Sequence, residues 1–403
     1  MAYTDFIAAI DLGTSHMVGM VGTKNATGAL SIIAYEVENS GTCIRRGCVY
    51  NVKETASKIK RLILKLENKL GGTKIGQVYV GLGGQSLRSI EHTVCKVLGT
   101  EGVVTEEIID SLYQECKDYR PDMLTVLDVV SPSYFLDDKP ESNPVGVPCS
   151  RIEARYKLIV GRPSLKLNIV NSISEQAKIE IAGILVSPLA LGDVVLSDNE
   201  KDLGCALIGF GAGVTTISVY KGGKLASLSV VPFGGNLITK DITNLRVVES
   251  EAERLKITYG SAKADRDNDM TIQVSLADGM GLREIKLAEL NGVIEARMDE
   301  ILENVYARLE ATGLMSVLGA GIVITGGGAA LKNLPAVMSE RLKMEVRYSA
   351  VRKGVVASGD LVVASNPEYA VAVGLLAKGT KNCALYIPPK PEPKPEPKVE
   401  LEP

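Results

Sequence analysis

Apolar residues run through positions 6–22 (FIAAIDLGTSHMVGMVG) as one strand, a glycine turn and a second strand, and a third strand follows over 30–37 (LSIIAYEV). Over 53–70 the period changes. Ile59, Leu62, Ile63, Leu66 and Leu70 fall at helical spacing, so this segment reads as an amphipathic helix. Its polar face is basic, a pattern shared with helices that lie on membranes. Gly71-Gly72 stops it, however, and the strand VYVGLGG follows at once, which favours a crossover helix packed on a sheet.

From 85 to 163 the pattern gives a strand at 90–97, a helix opened by Thr105 with Glu106 and Glu107 at the positive end of its dipole, and a proline-bearing, hairpin-like stretch to 160. This reads as a small α/β insertion. Residues 168–186 read as a long helix leading into the apolar stretch ILVSPLALGDVVL. Strand, glycine turn, strand and strand occupy 204–231. Helices are expected around 246–258 and 288–312, separated by a polar segment with strands near 271–276 and 282–287. The apolar strand of GIVITGGGAAL and a last helix at about 367–378 complete the pattern. Residues 388–403 (PPKPEPKPEPKVELEP) hold seven of the chain's 17 prolines. Proline lacks an amide donor and fixes φ, so this tail is expected to stay out of any core, as a spacer on the order of 50 Å long.

The 403 residues exceed one ordinary core, and 45% hydrophobic content can fill two or more. A net charge of -3 supplies no global basic field, which speaks against nucleic acid as a partner. The seven cysteines (43, 48, 95, 116, 149, 205, 383) are scattered, and no second pair or histidine near Cys43 and Cys48 completes a zinc site; they read as thiols in a reducing cytosol. The first residues carry acids where a signal peptide carries lysines, and no apolar run approaches the ~20 residues of a membrane span. Only His16 and His92 occur, so a histidine triad or histidine-ligated metal is hard to build. Chemistry here is expected to rest on bound phosphate and a metal ion.

Residues 8–22 and 206–220 repeat one another. Ile10-Asp11-Leu12-Gly13-Thr14-Ser15 lies over Ile208-Gly209-Phe210-Gly211-Ala212-Gly213, each a strand, tight turn and strand. Glycine lets turn amides converge on phosphate oxygens, and Thr14, Ser15, Thr215 and Thr216 can add hydroxyl bonds. A third cluster, Thr325-Gly326-Gly327-Gly328-Ala329, follows an apolar strand and would let a flat base lie on backbone. None fits the phosphate-binding GxxxxGK[ST] pattern or a GxGxxG turn into a helix. Singly each is weak; their order and spacing carry the argument.

That order, IDLGT, a second turn near 209 and ITGGGA near 326, resembles the actin/Hsp70/sugar-kinase ATPase superfamily. Within it the segments VYVGLGGQSLRS, SEQAKIEIAGILVSPLALGDVVL, VVPFGGNLITKDI and NPEYAVAVGLL resemble the FtsA family, across nearly all of residues 5–380. The resemblance implies an α/β, actin-like fold of two duplicated lobes around a nucleotide cleft. It divides the chain into 1–84, completed by 164–195 and about 356–380; an inserted subdomain at 85–163; 196–235 with 318–355; 236–317; and the tail 381–403. It implies ATP and Mg²⁺ as ligands. Gly13, Thr14 and Ser15 would form the first phosphate loop, with Asp11 near the metal through water or phosphate. Gly211, Gly213 and Thr215 would form the second. Gly326, Gly327, Gly328 and Ala329 would sit at the adenosine, with Glu253 and Lys256 at ribose or base.

Gly209 departs from the superfamily, whose second loop usually carries an aspartate there, so the resemblance favours holding ATP with weak or absent hydrolysis; no catalytic base is assigned. The family polymerises and joins filaments of the tubulin-like protein FtsZ to the membrane. Residues 293–300 resemble its FtsZ-tail segment, making Arg297 and Glu300 candidate contacts, although exposed helix charges are often merely solvated. Self-association, other divisome proteins and a cytoplasmic place at the membrane's inner face at the division site are further implied. Membrane attachment in the family uses a C-terminal amphipathic helix that is not present here; Val399 and Leu401 are the only apolar residues after Ile387, leaving a truncated chain or a different attachment open. A pilus-assembly actin-like protein is the alternative reading, and a small-molecule kinase a further one that Gly209 and the insertion oppose. A chaperone would need a substrate domain after 380.

Overall fold

Among the described residues of the computed structural model (5–99, 102–275, 281–357 and 366–385), two five-stranded sheets share one strand order. In the first, β1 (Ile7–Leu12), β2 (His16–Lys24) and β3 (Leu30–Asn39) form an antiparallel meander. A short pair, β4 (Ile44–Arg45) and β5 (Cys48–Val49), leads into helix α1 (Val52–Lys69), and β6 (Gln77–Leu82) then lies parallel to β1. Asn51 caps α1 by accepting from the Glu54 amide at 3.1 Å. Its buried Ile59, Leu62, Ile63 and Leu66 face the sheet, with Leu62 and Leu66 closing on Gly19, where a side-chain carbon would lie 2.8 Å from Leu66. Three basic residues of its other face are paired with β3: Arg61 and Lys65 with Glu38 at 2.6 and 2.9 Å, Lys69 with Glu36 at 2.7 Å. The crossover-helix expectation holds, and β3 supplies the acids that partner its basic face.

β7 (Arg88–Val97), helix α2 (Glu106–Asp118), β8 (Thr125–Leu136), β9 (Lys139–Glu141) and β10 (Arg151–Gly161) follow, building a separate antiparallel sheet in the order β7-β10-β8-β9. Its own core gathers Val94, Leu112, Cys116, Ile152, Ala154 and Leu158.

The chain then re-enters the first lobe, and here one expectation fails. The long helix read over 168–186 is only helix α3 (Ser164–Val170) and a π-turn, Asn171–Ala177. Lys178 turns left-handed (φ 60°), and β11 (Glu180–Val186) is a strand. It pairs parallel with β6, Glu180 opposite Gln77 through Val186 opposite Leu82. Ile179, Ile181 and Ile184 are β-branched, and an open β6 edge gives them a ladder that outweighs local helix propensity. The order is therefore β11-β6-β1-β2-β3.

Helices α4 (Ser187–Val195) and α5 (Asp198–Leu203) cross to the second lobe; α5 opens on a capping box between Ser197 and Glu200. β12 (Cys205–Phe210), β13 (Thr215–Lys221) and β14 (Lys224–Val231) repeat the meander. Helices α6 (Gly235–Ile242) and α7 (Glu249–Tyr259), the hairpin of β15 (Thr271–Ser275) and β16 (Leu282–Lys286), and the long α8 (Leu287–Glu310) come next. β17 (Ile322–Thr325), helix α9 (Leu334–Leu342) and β18 (Val346–Tyr348) complete the sheet as β14-β13-β12-β17-β18. Helix α10 (Ala370–Lys378) returns to pack on β1 and α4. Position by position the two sheets match, which is the duplicated α/β architecture the repeat implied. The proline-rich stretch 388–403 lies outside the described residues.

The small sheet also touches the second lobe. The Leu228 amide of β14 donates to Ser89 Oγ of β7 at 2.8 Å, and the Leu225 amide donates to Ser131 Oγ of β8 at 3.0 Å.

Candidate nucleotide cleft

The C-terminal ends of β1 and β12 face each other across a cavity of about 500 Å³, where ligands gather in open α/β folds. The β1–β2 turn contributes Asp11, Gly13, Thr14, Ser15 and His16 to its wall. Ser40 Oγ donates to the Gly13 carbonyl at 2.7 Å, and Thr14 Oγ1 accepts from the Gly47 amide at 2.9 Å, so the turn is held from behind. A side-chain carbon on Gly13 would meet the His16 carbonyl at 2.5 Å, so this tight turn requires glycine.

The β12–β13 turn brings Gly211, Ala212 and Gly213 to the opposite wall. The first amides of α6 anchor it: Gly235 N donates to Gly211 O at 3.0 Å and Asn236 N to Ala212 O at 2.8 Å. Gly326 (φ 87°), Gly327 and Gly328 follow β17 and line the cavity beside Phe210, with Pro367 and Glu368 from the segment before α10 facing them. From α7, Glu253 and Lys256 line the wall. Lys256 Nζ donates to Gly235 O at 3.2 Å, Thr239 Oγ1 at 2.8 Å and Glu253 Oε2 at 2.6 Å, fixing α7 against the start of α6.

Two expected site residues are placed elsewhere. Thr215 is fully buried and donates to the Phe233 carbonyl at 2.9 Å, away from the cavity; Thr216, one residue on and therefore on the other face of β13, lines it instead. Ala329 packs into the second lobe's core at 2% exposure, and its neighbours Ala330 and Leu331 reach the cavity. Arg297 and Glu300 sit on α8. Arg297 is ion-paired to Asp241 of α6 at 2.5 Å and to Glu300, so the two charges are already engaged within the protein.

His16, Ser187 and Glu368, which the sequence does not single out as site residues, also line the cavity, as does Thr325 at the head of the third glycine cluster. His16 is one of two histidines and abuts a glycine turn, and Glu368 lies in NPEYAVAVGLL; both were visible signals that position alone could not promote.

Burial pushes the Asp11 carboxyl up to about 6, partly offset by a hydrogen bond from the Leu12 backbone. A desolvated carboxylate without a cationic partner is where a cation belongs. No cluster of three or more His, Cys, Asp or Glu side chains poised for a metal exists among the described residues. A hard divalent ion, if held, is held by Asp11 with ligand phosphates and water, which suffices for Mg²⁺. The side chains fit a nucleotide in a second respect. The Thr325 hydroxyl is buried in the cleft wall without a hydrogen-bond partner among the described residues, and the glycine turns leave a cradle that side chains would fill.

Comparison with known proteins agrees with this geometry. The family model for cell division protein FtsA matches residues 206–374. "Cell division protein FtsA" of Porphyromonas gingivalis (strain ATCC BAA-308 / W83) is 39% identical over 382 residues, 94% of this chain and 79% of that protein. Its counterpart in Bacillus subtilis (strain 168) is 32% identical over 96% of this chain and 86% of its own length. Among solved structures, the PilM-PilN type IV pilus biogenesis complex superposes with a TM-score of 0.62 at 15% identity, covering 92% of this chain and 97% of that one. MreB5 of Spiroplasma citri bound to ADP gives 0.52 at 15% identity, covering 92% and 95%. These likenesses establish the actin-like fold.

Proposed function

Because the chain belongs to the FtsA family of cell-division proteins, we propose that its cleft holds ATP with Mg²⁺ and that the loaded protein assembles with itself and recruits FtsZ filaments at the division site. The observation that carries this reading is the pairing of two glycine hairpins, Asp11–His16 and Gly209–Thr216, across one cavity. Glycine turns of this kind can offer backbone amides to a polyphosphate, while Gly326–Gly328 offers bare backbone to a base. Glu253, held in place by Lys256, is set for a ribose hydroxyl.

In this reading Asp11 and the phosphates hold the ion, which would neutralise phosphate charge. The second loop contributes no carboxylate, since Gly209 stands there. The pocket is therefore suited to retaining nucleotide, with slow turnover. An ADP-bound MreB5 of the same fold supports a nucleotide as the ligand, and a MamK double helical filament, with a TM-score of 0.53 at 12% identity, supports self-association.

Residues 85–163 are read as the family's inserted subdomain and 236–317 as the one that meets FtsZ, by its C-terminal tail. No helix among the described residues is long and apolar enough to cross a membrane; attachment to the membrane's inner face falls to a C-terminal segment or a partner. Cosedimentation with FtsZ, with and without ATP, tests the whole reading: nucleotide-dependent pelleting of both proteins is expected, and FtsZ left in the supernatant under all conditions overturns it. Glu300→Lys should weaken FtsZ pelleting without lowering thermal stability, because Arg297 keeps Asp241 as its partner.

A further inference from the structure

The wall of the cleft leaves a polyphosphate short of positive charge. Asp11, Glu253 and Glu368 are acidic, and Lys256 is the only lysine or arginine among the described lining residues. Its ammonium donates to Gly235 O, Thr239 Oγ1 and Glu253 Oε2, which occupies every hydrogen it has. Charged oxygens drawn out of water call for charged donors, and the wall has none to spare.

A guanidinium stands at the mouth instead, on the hairpin of β4 and β5. Arg45 pairs with Cys48. Arg46 and Gly47 therefore form the turn, with φ of 49° and 71°, as a tight hairpin turn of this length requires. Gly47 lines the cleft, and its amide donates to Thr14 Oγ1 at 2.9 Å. The Arg46 carbonyl accepts from the Gln85 amide at 3.2 Å, and a side-chain carbon on Gly213 would lie 2.9 Å from Arg46 Cα. The Arg46 backbone is thus wedged where the tips of the two glycine hairpins meet. Left-handed backbone is uncommon at an arginine, and here contacts from both lobes hold it.

The Arg46 side chain, by contrast, is exposed and weakly committed. Nη1 donates to Gln85 Oε1 at 3.2 Å, its one hydrogen bond among the described residues. A neutral amide oxygen uses little of a guanidinium, whose planar fork matches phosphate through two parallel bonds.

Resting on the ATP reading, we propose that Arg46 is a specificity-determining residue for the nucleotide: with ATP in the cleft, its guanidinium leaves Gln85 and bonds the terminal phosphate. With the base at Gly326–Gly328, the phosphates run towards the hairpin tips, and the outermost one arrives beside Arg46. A diphosphate stops short of it, so Arg46 stays on Gln85 when ADP is bound. The exchange needs a change of rotamer and no movement of the turn, because Arg46 Cα already abuts Gly213.

Equilibrium titration of the purified chain with ATP and with ADP, Mg²⁺ present, tests this for wild type, Arg46→Ala, Arg46→Lys and Gln85→Ala. Arg46→Ala should weaken ATP binding about tenfold and ADP binding less than about twofold. The melting temperature of the nucleotide-free protein should hold, since only an exposed side-chain bond is lost. Arg46→Lys keeps the charge without the fork and should recover part of the ATP loss. Gln85→Ala frees the guanidinium and should bind ATP at least as tightly as wild type. Arg46→Ala binding ATP as wild type does, equal losses for ATP and ADP, lysine as weak as alanine, or Gln85→Ala as weak as Arg46→Ala would each overturn the role of Arg46 and leave the ATP reading standing. Wild type binding neither nucleotide would overturn the ATP reading, and the role of Arg46 with it.

Discussion

Thr14 and Gly213 meet across the cleft: a side-chain carbon at Gly213 would lie 2.6 Å from Thr14 Oγ1 and 2.9 Å from the Arg46 backbone. The tips of the two hairpins therefore touch, and the lobes are in van der Waals register at the point where a polyphosphate would be gripped. Thr14 Oγ1 is also the acceptor for the Gly47 amide, so whatever moves Thr14 moves that loop too.

Gly213→Ala should accordingly separate the hairpins. Overpacking of this kind costs about 1–3 kcal/mol where neighbours can shift, and here one neighbour is backbone. We expect ATP affinity to drop at least about tenfold in calorimetric titration, with only a modest loss of melting temperature, because each lobe keeps its own core. Undiminished ATP binding would mean that the hairpins do not close on the ligand together.

Asp11 sets a pH dependence whose sign is fixed by burial. Its folded-state pKa, about 6, lies above its ordinary value of 3.8. The carboxyl therefore favours folding most below about 4, and that contribution is lost as pH rises through about 6. A shift of this size corresponds to at most about 3 kcal/mol. Asp11→Asn should melt higher than wild type at pH 8 without nucleotide, the gap closing towards pH 4, while its Mg²⁺-dependent gain in ATP affinity disappears. Equal melting at pH 8 would show that the carboxylate is neutralised within the protein.

The small sheet is braced on the second lobe by serines. Ser89 Oγ accepts the Leu228 amide, and Ser131, strained at φ 56°, accepts the Leu225 amide. Ser89→Ala would leave the Leu228 amide unpaired at a cost of about 1–3 kcal/mol. Hydrogen exchange should report it, with faster exchange at Leu225 and Leu228 and little change at the β1–β2 ladder. Unchanged protection at Leu228 would mean that β14 needs no support from the small sheet.

How far the sequence carried each of these residues follows from physics that is local or not. Asp11, Gly13 and Gly211 announce themselves because strand periodicity and glycine turns are written in neighbouring residues. The residues offer both Thr215 and Thr216, and the resemblance points to Thr215 alone; alternation has a period of two, and a turn of uncertain length shifts the whole face by one, so the sequence does not choose between them. The 180–186 strand was hidden for a related reason: its conformation is decided by the ladder offered from β6, about a hundred residues upstream. Glu368 and Ser187 reach the cleft only through the packing of separate segments. No window on the sequence contains that information.

Gly209 supplies the sharpest test of the inequality between the hairpins. Gly209→Asp alone forces its new side chain onto Thr216 Oγ1, 2.6 Å from the added carbon. Pairing it with Thr216→Ala clears the space and installs a second carboxylate facing Asp11's side of the cleft. Without metal, two carboxylates beside a polyphosphate repel it; with Mg²⁺ bound, the same carboxylates share the ion. The double variant should therefore bind ATP more weakly than wild type in chelator, and the ratio of affinities with and without Mg²⁺ should widen by about tenfold or more in fluorescence titration. If that ratio stays at the wild-type value, position 209 does not face the ion, and the account of an unequal pair of hairpins, with Asp11 alone at the ion, fails with it.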